Sequence, residues 1–203
     1  MPYKQKRDNW ASRSHVMYPE DIGLAIPLDM TVDDVPDKFL ELYYRFYVNG
    51  YINNFGTSCV LQSALLRRIM KLHGLPATLK QVILYWKNDR KGQHMIVGHP
   101  HDISTIASAK ETEIDTHMVV MSDGWILDFA ASPLHYSYGY TAPRGIIMPW
   151  TDETSKKYID LGIAGGASYI ENKIPHPDLK YIRLSQKQDE IKFTKEYFER
   201  YAF

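Results

Sequence analysis

The stretch THMVVMSDGWILDFA, residues 116–130, holds two β-rich runs separated by Ser122-Asp123-Gly124. Asp-Gly between alternating runs is a strong two-residue hairpin signal, because a type I′ turn needs positive φ at both central residues. With Asp123 and Gly124 as the turn, Ser122 faces Trp125, Val119 faces Asp128 and His117 faces Ala130. Side chains alternate along a strand, so His117 and Asp128 project from one face as diagonal neighbours. Their backbones are then about 7–8 Å apart, within reach of an imidazole–carboxylate hydrogen bond. The register thus builds an acid–imidazole pair locally.

A second segment, FGTSCVLQSALLRRIMKLHG at 55–74, carries Cys59, the only cysteine among 203 residues. One cysteine makes no internal disulfide, and the N-terminus has no apolar signal region, so the chain reads as a cytoplasmic protein. Nothing approaches the roughly 20 apolar residues of a membrane span. Lys+Arg 24 balances Asp+Glu 24, which leaves no global field to draw nucleic acid or an anionic membrane. With 44% hydrophobic residues the chain can form one core, and 1–203 reads as one domain.

The periodicity predicts a first helix from Asp33 or Asp34 to Gly50, with Val35, Phe39, Leu42, Tyr43 and Phe46 on one face. A second runs from a cap at Thr57 or Ser58 to Gly74, with Leu61, Leu65, Ile69 and Leu72 as its stripe. The segment ATLKQVILYW reads as a strand, 1–30 as an irregular arm, and 87–113 as a polar excursion flanking the cleft. A short helix is expected from Thr151 to Leu161, and a C-terminal one over 185–203, opened by a Ser185/Gln188 capping box and supported by Ile191, Tyr197, Phe198 and Tyr201. Tyr136, Tyr138 and Tyr140 alternate like a strand that either packs or walls a substrate. His94, His99, His101 and Asp102 match no rigid metal-ligand spacing, and we read no metal there.

Cys59 falls in the first turn of its helix, where unpaired N–H groups and the helix dipole favour a thiolate. A base needs a carboxylate on one ring nitrogen to fix the tautomer and free the other, which is what Asp128 offers His117. The amides near Cys59 could hold an oxyanion. Asn53 and Asn54 either add a donor or make the turn after Gly50, and Ser58 lines the same approach.

GTSCVLQSALLRRIMKLHGLPATL, then DTHMVV, then DGWILDFA, together resemble the transglutaminase-like cysteine enzymes within the papain-like architecture. Cys59, His117 and Asp128 match the family's order, and the likeness covers roughly 51–132, the expected catalytic core. It implies an α+β fold, with the nucleophile on a helix N-terminus packed against an antiparallel sheet carrying His and Asp. It also implies a thiol-dependent hydrolase or acyl transferase acting on an amide, as peptidase, amidase or deamidase, without a cofactor. The expected substrate is a protein or peptide, with a small acyl or amide compound as the other option. A protein-crosslinking transglutaminase is the alternative activity, and a non-catalytic binding or structural protein retaining the fold is the rival from another class. The chain lacks the Arg-Gly-Gly that precedes the nucleophile in arylamine N-acetyltransferases and the calcium loop of animal transglutaminases, which puts a hydrolase first.

Overall fold

The computed structural model describes residues 23–54, 59–98, 117–151, 154–172 and 179–201. The fold is α+β, built on one curled, mixed sheet. Its strands are β1 (Leu24–Ala25), β2 (Thr78–Asn88), β3 (Gln93–Val97), β4 (His117–Ser122), β5 (Trp125–Asp128), β6 (Gly145–Pro149), β7 (Ile159–Asp160) and β8 (Gly166–Glu171). Their order is β1-β6-β5-β4-β2-β8-β7, with β3 also paired to β2. The predicted hairpin is β4–β5: Ser122 pairs with Trp125 across Asp123 (φ 48°) and Gly124 (φ 77°), the positive angles a type I′ turn requires.

Helices α1 (Asp37–Val48) and α3 (Cys59–Leu72) cover one face of the sheet, with the short α2 (Tyr51–Asn54) between them. Phe39, Tyr43 and Phe46 from α1 and Leu65, Ile69 and Met70 from α3 bury themselves against Val120, Leu127 and Ile147. The other face gathers Val82, Leu84 and Trp86 from β2, Val119 from β4, Ile126 from β5 and Tyr169 from β8. By strand alternation His117 and Asp128 belong to this second face.

β2 is the organising strand. Its first half pairs with β4, Val82 opposite His117, and its second half pairs with β3, Leu84 opposite Val97. Gly98 and His117 therefore stand at successive positions along β2, so β3 and β4 form one line interrupted at residues 99–116. Gly98 has φ +86°, and a Cβ there would stand 2.5 Å from the Val82 carbonyl oxygen and 3.0 Å from His117 Cβ.

Several expectations are corrected. The arm is not wholly irregular, since Leu24 and Ala25 pair in parallel with Gly145 and Ile146 of β6. Asp33 and Asp34 lie in a 3₁₀ turn (Val32–Asp34) with Thr31 and Asp34 reciprocally bonded, and α1 starts only after Pro36. Leu72 is exposed, so the apolar stripe of α3 ends at Ile69 and Met70. The excursion at 87–113 contains β3, whose Met95 and Val97 alternate into the core. The helix expected at Thr151–Leu161 is a single 3₁₀ turn (Thr154–Lys156) followed by β7. The Thr151 and Thr154 hydroxyls bond each other's backbone N–H at 3.1 and 2.7 Å, a local closure that competes with helix. Tyr136 and Tyr138 sit on helix α4 (Ser132–Tyr138), and Tyr140 in the 3₁₀ turn after it, because Pro133 in the first turn starts a helix that three alternating tyrosines are too few to overrule.

At the C-terminus, Ser185 Oγ donates back to Ile182 O at 2.8 Å and ends α5 (Leu179–Ser185). The Ser185/Gln188 capping box therefore does not form, and α6 (Lys187–Arg200) begins behind Gln186. Among the described residues no helix is long and apolar enough to cross a membrane.

Gly98→Ala is expected to lower stability by about 1–3 kcal/mol, the range for a strained backbone, and to displace His117 from its place opposite Val82. A urea melt checks the first and the His117 ring NMR signals the second.

Candidate active site

Three elements converge on one buried cluster. α3 contributes Cys59 from its first described residue, β4 contributes His117 from its first residue, and β5 contributes Asp128 from its last. Cys59 is 5% exposed, and His117 and Asp128 are fully buried. His117 Nε2 donates to Asp128 Oδ2 at 2.7 Å. The diagonal placement read from the hairpin register is the one the structure has.

The opposite ring nitrogen, Nδ1, is buried and has no well-aligned hydrogen bond among the described residues. Cys59 nonetheless acts on this ring. Burial pulls the imidazole's pKa down, but the Asp128 charge and hydrogen bond, then the hydrogen-bonding and charge interaction with Cys59, outweigh it and push the pKa up to about 10.

The first turns of α3 are fastened to the carbonyls beside both partners. Ser63 Oγ donates to Met118 O at 2.6 Å, next to His117, and Gln62 Nε2 donates to Phe129 O, next to Asp128. Cys59 itself packs in a small apolar cluster with Val60, Met118 and Ala130, bordered by Leu179 and Ile182 of α5. Asp128 accepts two further bonds, from Ala130 N–H to Oδ1 at 3.0 Å and from Tyr169 Oη to Oδ2 at 2.7 Å.

Gln62, Ser63 and Tyr169 lie outside the candidate site residues that the sequence offers. A signal for the first two was present, since both are polar in the first turns of an otherwise apolar helix face. Tyr169 had only the weak alternation of GASYIE.

Other candidates are placed elsewhere. Tyr136 is 60% exposed, and Tyr138 stacks on Trp86 at 5.3 Å and donates to the His94 carbonyl, so neither joins the Cys59 cluster. His94 lies on β3, while His99, His101, Asp102 and Ser58 fall outside the described residues. Asn53 and Asn54 belong to α2, not to a turn, and their side chains also lie outside the description. Among the described residues no group of three His, Cys, Asp or Glu could hold a metal ion.

No family model matches the chain, and no curated protein matches it. Among solved structures, the crystal structure of "genomics APC5867" is similar, with a TM-score of 0.49 and 16% identity over 79% of this chain and 74% of that one. A likeness at that level fixes neither fold family nor activity.

Two outcomes follow. Gln62→Leu and Ser63→Ala each remove a buried side-chain bond to a backbone carbonyl and are expected to cost about 1–3 kcal/mol in a urea melt. For His117, the folded pKa lies above the unfolded value near 6.5. Its contribution to stability is therefore complete below about pH 6.5 and is lost as pH rises through about 10. Wild-type melting temperature should fall across that window more steeply than that of His117→Gln.

Proposed function

We propose that the chain is a thiol-dependent hydrolase or acyl transferase acting on an amide bond, of the transglutaminase-like kind within the papain-like architecture. The observation that carries this reading is the buried 2.7 Å bond between His117 Nε2 and Asp128 Oδ2, with Cys59 at a helix start acting on the same ring. Cys59 Sγ attacks the carbonyl carbon, and backbone amides of the helix start hold the developing oxyanion. His117 gives a proton from Nδ1 to the departing nitrogen as the C–N bond breaks, leaving a thioester. The ring then takes a proton from the acceptor, whose oxygen or nitrogen displaces sulfur. Water gives hydrolysis or deamidation and an amine gives transamidation. Asp128 holds the tautomer that leaves Nδ1 facing sulfur and stabilises the imidazolium. The substrate class is a protein or peptide amide.

A non-catalytic binding role is the second reading, and the burial of Cys59, at 5% exposed, favours it. A free cysteine this buried is ordinarily an inert small hydrophobe.

Iodoacetamide alkylation across pH separates the two. The enzyme reading expects reaction with Cys59 at pH 6, lost in His117→Ala with the melting temperature of Cys59→Ala unchanged. Reaction only above about pH 8, the range of an ordinary thiol, supports the binding role. With an amide substrate in hand, Cys59→Ala and His117→Ala should abolish turnover, and Asp128→Asn should slow it by about 10²–10⁴.

A further inference from the structure

We infer that Tyr169 is a positioning residue for this site, aiming the Asp128 carboxylate and through it the His117 ring. The inference rests on the thiol-enzyme reading and adds to it a member from a separate part of the chain. The carboxylate receives two donors on Oδ2, His117 Nε2 and Tyr169 Oη, each at 2.7 Å, and one on Oδ1, Ala130 N–H at 3.0 Å.

The terminal torsion of an aspartate is broad, so its plane must be set from outside. Ala130 is two residues away and constrains one oxygen only. His117 cannot set the carboxylate, because it is the group that must be oriented. Tyr169 is the donor whose place is fixed independently of the β4–β5 hairpin. It stands on β8 opposite Leu84 of β2, is fully buried, and lies edge-on to Trp150 with ring centroids 6.5 Å apart. Packing, not the hydrogen bond, therefore aims the hydroxyl.

Burial, then the Asp128 charge and hydrogen bond, hold the phenol's pKa well above its usual value, so Tyr169 remains a donor throughout the working pH range. The bond also supplies a dipole to a carboxylate that has lost all contact with water. Loss of such an outer partner reduces activity by about 10–100-fold where it orients a metal-bound histidine, and the same mechanical role applies here.

The test is Tyr169→Phe, which keeps the ring and its packing. The expected result is a melting temperature close to wild type, with iodoacetamide alkylation of Cys59 slowed about tenfold at pH 6, and a shifted His117 ring N–H resonance. An unchanged alkylation profile and resonance would overturn the role. The second measurement places Tyr169→Phe on Asp128→Asn. A residue that acts through the carboxylate adds less than about twofold there, whereas a further tenfold loss would give Tyr169 an effect of its own and overturn the positioning role. His117→Ala tests the underlying reading separately. If it leaves the wild-type alkylation profile in place, the thiol enzyme itself has failed. If it removes the low-pH reaction and Tyr169→Phe does not, only the role of Tyr169 falls.

Discussion

A carboxylate with no exposure to water is costly unless every lone pair is met, and Asp128 is such a carboxylate at the heart of the sheet's second face. Its donors come from three places: the opposite strand of its own hairpin, the backbone just beyond β5, and a strand more than forty positions further along the chain. The third demands curvature. Between β5 and β8 lie β4 and β2, so three strand spacings, about 14 Å in a flat sheet, separate their backbones. A tyrosine and an aspartate cannot bridge that gap unless the sheet bends towards the face they share. The curl, the burial and the hydrogen bonds are consequences of one another.

The same arrangement explains how α3 is seated on the sheet. Ser63 and Gln62 are spent on the carbonyls of Met118 and Phe129, the residues adjoining His117 and Asp128. Slippage of the helix along the sheet would break both bonds. Cys59 is thereby held to the hairpin through two anchors that do not involve the sulfur.

The parts legible in the sequence are those governed by short-range rules. Asp-Gly set the hairpin register, and with it the diagonal relation of His117 to Asp128, because a turn type and a two-residue period suffice. The helix carrying Cys59 was visible from its apolar stripe and Gly74. What escaped depended on distant partners. Gly145–Pro149 and Gly166–Glu171 have no turn chemistry of their own that announces a strand; they become strands by pairing with β5 and β2. The tyrosines after Asp128 show the converse error, where an i, i+2 rhythm suggested a strand although Pro133 was suited to a helix start. Tyr169 lay beyond reach because its role depends on the curl.

The interrupted line of β3 and β4 has a consequence for how such a chain can diverge. β2 registers the two pieces separately, so neither depends on the number of residues joining Gly98 to His117. The entropy of closing a connection grows only logarithmically, about 0.6 kcal/mol for each doubling of length. Insertions and deletions can therefore accumulate at that junction at little thermodynamic expense while the sheet keeps its order. Because the two ends of that connection, Gly98 and His117, occupy successive positions along β2, such variation would leave the scaffold's register unchanged.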